Sequence, residues 1–247
     1  MKEIYLVTGA SRGIGRSLSL ELVSNGFTVI GLSRQSPDLE SLGDELKKID
    51  PNSCVISCDI SSLEDIESAS KLVISNYSKL DGIVHNAGII NPIKPMEYAE
   101  IENWNHLIQV NLIGVQNLTQ KLYPLLKGSN QTRVTTISSG ASKYPIGSWS
   151  AYCVSKAGLD MWTRCLAEEG QEHNISAISV APGIVDTDMQ KNIRSSNPEQ
   201  FPLHPHFVDY HKTGQLVDPD IVAKQLLVLV TTHEMEKTGG RFDVREL

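Results

Sequence analysis

Short apolar runs alternate with amphipathic stretches along the whole chain. Ile4–Val7, Thr28–Leu32, Cys54–Ser57, Gly82–His85, Val134–Ile137 and Ile175–Val180 read as strands, with a weaker seventh at Arg241–Val244. Between them, apolar positions recur at helical spacing over Gly13–Ser24, Leu39–Ile49, Leu63–Ser75, Ile101–Leu126, Ser150–Glu172 and Pro219–Thr231. Strands apolar on both faces, alternating with helices of this length, predict βαβ units. The expected architecture is α/β: a doubly wound, mainly parallel seven-stranded sheet with helices on both faces. Ligands of such a sheet sit beyond the carboxyl ends of its strands. No repeat, low-complexity tract or linker interrupts the pattern, so residues 1–247 read as a single domain.

The longest stretch without a predicted element runs from about 189 to 217 and carries Phe201, Phe207, Tyr210, three prolines and three histidines. Connections this long in compact domains are usually functional, and this one is expected to cover the substrate. His204-Pro205-His206 lacks accompanying carboxylates, and no metal site is predicted. In the helix near 150–172, Val154, Gly158, Met161 and Cys165 fall beside Leu159, Trp162 and Leu166. That arc is wider than one sheet face requires and suggests a second buried surface, hence a homodimer or homotetramer.

Composition narrows the classes. The 247 residues carry 22 Lys+Arg against 29 Asp+Glu, a formal charge of −7, with no basic cluster, which argues against nucleic acid as partner. No apolar run approaches the roughly 20 residues of a bilayer span. The first strand-like run begins almost at once, leaving no room for a cleavable signal. Cys54, Cys58, Cys153 and Cys165 show no paired spacing. A reduced, cytoplasmic or nuclear protein is expected, and the four Asn-x-Ser/Thr matches (from Asn76, Asn117, Asn130 and Asn174) read as chance.

The first strand runs into Thr8-Gly9-Ala10-Ser11-Arg12-Gly13-Ile14-Gly15 and then a helix. Glycines at a strand-to-helix turn allow a tight bend and close approach of backbone to a pyrophosphate, which the free amides and dipole of the helix then favour. Which dinucleotide follows from the end of strand two. That end reads Ser33-Arg34, with no carboxylate before Asp38. An acidic residue there would select NAD, whereas Arg34, with Arg12 converging from the glycine loop, suits the 2′-phosphate of NADP(H).

Strand five ends in Ser138-Ser139, and Tyr152 and Lys156 follow, four apart and so on one helix face. A neighbouring ammonium is expected to lower the tyrosine pKa toward the working range. The serine hydroxyl would share the same substrate oxygen.

With these motifs in place, the whole sequence resembles the short-chain dehydrogenase/reductase family, whose fold is a single Rossmann-type domain. Asn86-Ala87-Gly88 resembles its segment after strand four, Asn111 its helix asparagine, and Pro182-Gly183-Ile184-Val185-Asp186-Thr187 its loop after strand six. The resemblance implies Ser139, Tyr152, Lys156 and Asn111 as catalytic residues. It also implies a cofactor site drawing on Gly9, Ser11, Arg12, Gly13, Ile14, Gly15, Ser33, Arg34, Asp59, Ile60, Asn86, Ala87, Gly88, Tyr152, Lys156, Pro182, Gly183, Val185 and Thr187. Asp59 and Ile60 would flank the adenine, and Ile184, Val185 and Thr187 the carboxamide.

A narrower resemblance, carried by Ser138–Ser142, Gly147–Cys153 and Asp186–Gln190, is to the benzil reductase and sepiapterin reductase branch, fungal members included. It implies NADPH-dependent reduction of a small carbonyl substrate, with Ile89, Ile90, Tyr144, Trp149 and Met189 as pocket walls suited to a bulky or aromatic ketone or diketone. For the acidic residue that pterin recognition needs near the C-terminus, Asp243 and Glu246 compete. The alternatives are a sepiapterin-type pterin reductase and a non-catalytic NADP(H) sensor on the same fold.

Overall fold

The computed structural model describes residues 2–246; the outermost residues of the 1–247 domain lie outside the described residues. Seven strands, β1 (Ile4–Thr8), β2 (Thr28–Ser33), β3 (Cys54–Ser57), β4 (Gly82–His85), β5 (Thr132–Ile137), β6 (Ile175–Ala181) and β7 (Arg241–Asp243), form one sheet in the order β3-β2-β1-β4-β5-β6-β7. Every pairing is parallel, so the sheet is wholly rather than mainly parallel. The order reverses between β1 and β4. There the crossovers diverge to opposite sides and leave a crevice at the carboxyl edge.

The helices are α1 (Gly13–Ser24), α2 (Pro37–Ile49), α3 (Leu63–Asn76), α4 (Ile101–Ile108), α5 (Gly114–Leu126), α6 (Ser150–Glu169), α7 (Asp188–Arg194), α8 (His204–Lys212) and α9 (Pro219–Thr232). Strand side chains alternate between two cores. Tyr5 and Val7 join Leu18, Leu22, Leu42, Leu226 and Val230 beneath α1, α2 and α9. Leu6 joins Ile66, Val73, Leu118, Leu122 and Leu166 beneath α3, α5 and α6. Burial of both faces is why the strands lack polar alternation. Local signals place the helix starts: Ser36 caps α2 ahead of Pro37, Ser62 caps α3 reciprocally with Asp65, and Asp218 caps α9 ahead of Pro219.

The structure departs from the sequence reading in two places. The stretch 189–217 is not without elements: it holds α7 and α8, too short and proline-flanked to show a helical period. The expected helix 101–126 is divided by a wide turn over Gln109–Ile113, closed by a bond from the Gly114 amide to the Gln109 carbonyl. On α6, Leu159 and Leu166 are buried, while Val154 and Met161 remain about half exposed.

Gly114 starts α5 against the turn that follows β3, and a Cβ there would overlap the Ile60 carbonyl oxygen. Gly114→Ala is therefore expected to destabilise the fold by about 1–3 kcal/mol, a fall of roughly 2–4 °C in Tm per kcal/mol for a domain of this size. A thermal melt unchanged from wild type would show that the two segments separate freely.

Candidate active site

The carboxyl ends of β1, β4, β5 and β6 supply the site. At the end of β1 the Thr8 hydroxyl accepts the Asn86 and Ala87 amides, each at 3.0 Å, and the Asn86 side chain donates back to the carbonyls of Thr8 (2.9 Å) and Gly9 (3.3 Å). Asn86 thus braces the glycine loop, and its amide group is occupied in doing so. Gly9 and Gly13 hold φ of +65° and +53°. A Cβ on Gly9 would lie 2.9 Å from the Ala87 Cα, and one on Gly13 3.2 Å from the Thr187 side chain. The start of α1 has no side-chain cap and no acidic residue in its first turn, leaving its leading amides open to an anion.

Ser11 and Ser33 join β1 and β2 through hydroxyls 2.9 Å apart. Arg34, just beyond, is exposed and makes no side-chain hydrogen bond among the described residues; its charge helps hold the Asp59 carboxyl below its ordinary range, after the hydrogen bonds from Ser61. Ile60 is buried beside Asp59. Arg12 is not turned toward Arg34 as the sequence suggested. Its guanidinium pairs with Asp188 at 3.1 Å, because the loop packs Gly13 on Thr187 directly before α7.

Tyr152 and Lys156, on the first two turns of α6, are 6% and 4% exposed. The Lys156 ammonium donates to the Ile137 carbonyl at 2.7 Å and stands 5.8 Å from the centre of the Tyr152 ring. Asn111 lies in the wide turn, fully buried. Its Oδ1 accepts the Ile89 amide (2.8 Å), and its Nδ2 donates to the Ile89 carbonyl (2.9 Å) and to Ser155 Oγ (3.1 Å). A Cβ on Gly88 would lie 3.4 Å from Asn111 Oδ1 and 3.6 Å from Lys156 Nζ, so the three meet at one point.

The expected lowering of the tyrosine pKa is not what the fold produces. Burial pushes the Tyr152 phenol up to about 12, with only the Ser139 hydroxyl opposing the rise through a hydrogen bond. The ammonium that was to offset it is turned to a carbonyl instead. Burial also pushes Lys156 down, to about 8, against the pull of Asp160.

Ser139 Oγ accepts the Ala141 amide at 3.2 Å, while the hydroxyl of Ser138 is buried without a partner among the described residues. The Pro182–Thr187 loop crosses the crevice, with Gly183 at φ +79°. Val185 is buried and bridged to Val217, so the segment that leaves at α7 is fastened again where it returns.

From α7, Met189 Sδ lies 3.9 Å from the Tyr152 hydroxyl. Ile90, Trp149 and Phe201 pack into a third small core, in which Trp149 stacks on Phe201 (5.3 Å, 16°) and meets Tyr152 edge-on (5.5 Å, 80°). Tyr144, also expected as a wall, is 70% exposed. Asp243 is gripped by Arg245 through bonds of 2.8 and 2.6 Å. His204 bonds the Arg194 carbonyl at 2.9 Å.

Sequence reasoning missed Gly114, Ser155 and Arg241 at or around this site. A glycine amid a helical pattern was the available signal for the first; the others carry none.

A family model described as short chain dehydrogenase matches residues 3–198. The chain belongs to that family. A benzil reductase ((S)-benzoin forming) of Bacillus cereus is 34% identical, over 93% of this chain and 94% of its own length. A short chain dehydrogenase/reductase structure from Saccharomyces cerevisiae superposes with a TM-score of 0.90 at 30% identity, covering 98% of this chain and 96% of that one. One from Escherichia coli CFT073, complexed with NADPH, superposes at 0.84 with 28% identity over 98% and 96% of the two chains. The protein is an oxidoreductase of this family.

Asn111→Ala would leave the partly buried amide and carbonyl of Ile89 unpaired and remove the bond to the Ser155 hydroxyl, which keeps its own bond to the Tyr152 carbonyl. The expected cost is about 1–3 kcal/mol, read as a lower denaturant midpoint with an unchanged slope; an unchanged midpoint would mean that other donors and acceptors replace the side chain.

Proposed function

We propose that this protein is an NADPH-dependent reductase that transfers hydride to the carbonyl of a small, bulky or aromatic ketone or diketone, with Tyr152 as general acid. The observation that carries the reading is the convergence of the Tyr152 phenol, the Ser139 hydroxyl and the Lys156 ammonium on the carboxyl edge, beside an uncapped glycine loop.

The residues fit the dinucleotide. Gly9, Gly13 and Gly15 let the loop pack on itself, Ala87 and Thr187 more closely than any side chain would allow, so its backbone stays bare toward a ligand; the first amides of α1 suit a pyrophosphate, and Lys156 keeps donors beyond the one given to Ile137. Ser11, Ile14, Ser33 and Arg34 would hold the adenosine phosphate end, with Arg12 committed to Asp188 instead; Asp59 and Ile60 would hold the adenine, and Ala87, Gly88 and Pro182–Thr187 the nicotinamide end. The E. coli relative, complexed with NADPH, supports this choice of cofactor. NADPH, when bound, supplies the hydride.

The protein's part is positioning and proton transfer. Ser139 holds and polarises the substrate oxygen, and Tyr152 donates its proton there as negative charge develops. A phenol raised by burial stays protonated through neutral pH, which suits an acid working in the direction of reduction. Lys156, with the donors that Ile137 leaves free, would bind the nicotinamide ribose. Asn111 fixes the Ile89 backbone beside that lysine, and would hold a water on the route to solvent.

α7 and the segment to Val217 cover the substrate, with Met189 against the reacting group. The likeness to the Bacillus enzyme supports a diketone such as benzil as substrate. The pterin reading is weaker, since Asp243 is already engaged by Arg245. A second copy would pack on the exposed Val154–Met161 face of α6.

Consumption of NADPH with a panel of diketones, quinones, aldehydes and pterins tests the reading; tight NADPH binding without turnover of any of them would favour a sensor. Tyr152→Phe is expected to lower kcat by about 10²–10⁴-fold, and near-native turnover would remove its assigned role. Arg34→Asp is expected to raise the KM for NADPH by about tenfold or more, through loss of a charge-assisted pair, with little change for NADH; equal effects would refute the 2′-phosphate assignment.

The pH profile follows from burial. Lys156 is charged below about 8 and neutral above it, so kcat/KM for reduction is expected to fall as pH rises through that value. A profile that stays level well above it would show that the charge on Lys156 is dispensable.

A further inference from the structure

Arg241 opens the short edge strand β7 and belongs to no motif. Its guanidinium nevertheless reaches the turn that carries Ser139. Nη2 donates to the Ser139 carbonyl at 2.9 Å, and Nε is shared between Ser142 Oγ (3.3 Å) and Asp160 Oδ2 (3.1 Å). Both side chains of the ion pair are largely buried, at 18% and 17% exposure.

Asp160 lies one helical turn beyond Lys156 and two beyond Tyr152, on the same face of α6. Its other oxygen, Oδ1, is buried with no partner among the described residues, so the carboxylate depends on Arg241. One guanidinium therefore joins β7, the serine turn, and the helix that bears the tyrosine and lysine.

The serine needs such a tie. The ladder of β5 ends with the Ser138 amide bonded to the Val180 carbonyl, and Ser139 lies beyond it. Within the turn, the Ser139 carbonyl accepts only from its own neighbour Ser142, through amide and hydroxyl at 3.1 and 2.9 Å. Those local bonds shape the turn but do not set where it stands relative to α6. Ala141 packs beside Tyr152 in the third core, but the Ser139 carbonyl itself receives its hydrogen bond from a distant element through Arg241, a residue anchored on α6 two turns past the phenol.

We propose that Arg241, with Asp160 as its counter-ion, is a positioning residue that sets the Ser139 hydroxyl against the Tyr152 phenol. The proposal rests on the catalytic reading of Ser139 and Tyr152 above. It makes the last strand of the sheet, far from every motif, part of the site's geometry.

The test uses Arg241→Met, Arg241→Lys, Ser139→Ala and the double variant Arg241→Met/Ser139→Ala in the full chain, with NADPH and benzil. Arg241→Met is expected to lower kcat about tenfold or more and to leave the KM for NADPH within about twofold, with partial recovery in Arg241→Lys. In the Ser139→Ala background the same change should cost less than about twofold, because the group it positions is gone. Equal losses in both backgrounds would overturn the proposal and leave Arg241 a general structural residue. Full turnover by Ser139→Ala would remove the catalytic reading of the serine, and this proposal with it.

Amide hydrogen exchange decides the matter independently of any substrate. Exchange at Ala141, Ser142 and Lys143 should quicken in Arg241→Met while β1 and β4 keep their protection; unchanged exchange in the turn would overturn the proposal. Should Arg241→Met fail to fold, Asp160→Asn, which keeps the guanidinium but removes its counter-charge, is read by the same exchange with the same two outcomes.

Discussion

The site depends on the clasp between Thr8 and Asn86. Where the strand order reverses, the chains leaving β1 and β4 would otherwise separate, one toward α1 and the other toward the loop before α4. Reciprocal hydrogen bonds hold them together across the crevice. Because the braced backbones lie so close, Gly9 has no room for a side chain, and the same closeness leaves a shallow cradle of amides at the mouth of the sheet. Cofactor fit is thus a consequence of how the sheet is closed at its switch point.

Above that cradle, desolvation governs the protonation of two side chains. Tyr152 and Lys156 are pushed in opposite directions, the phenol toward holding its proton and the ammonium toward losing it. Each shift favours the neutral form, as low dielectric surroundings require. The pair is therefore poised with the proton on the tyrosine, and the hydrogen bond from Ser139 tempers the rise.

Much of this was legible in the sequence. Strands β1, β2 and β4 were readable because burial on both faces leaves mostly apolar runs, and α2, α3 and α9 announced themselves through Ser36, Ser62 and Asp218. The motif residues from Gly9 to Thr187 do gather along one edge. What could not be read is what arises between distant residues. The bond between Arg241 and Asp160 spans 81 positions and leaves no periodic trace. The spacing of Tyr152 and Lys156 showed that they share a face, but not that Ile137 would draw the ammonium away. Likewise Arg12 looked free for a phosphate until the fold placed Asp188 beside it. α7 and α8 escaped notice because one is two turns long and the other begins at a proline.

The small core of Trp149, Phe201 and Phe207 has an energetic consequence. It belongs to the segment over the site and is separate from the two clusters that hold the sheet. The segment's other ties include the bridge at Val185, the Ser148 hydroxyl on the Gln200 carbonyl, Met189 against Tyr152 and the solvent-exposed pair of Arg12 and Asp188. A segment held by a small separate core and few other ties is the kind of unit that opens at a lower free energy than a sheet buried on both faces. Sequence changes within it can reshape what enters the site without drawing on the stability reserve of the domain, which makes this segment the evolvable part of the enzyme and the sheet its fixed capital.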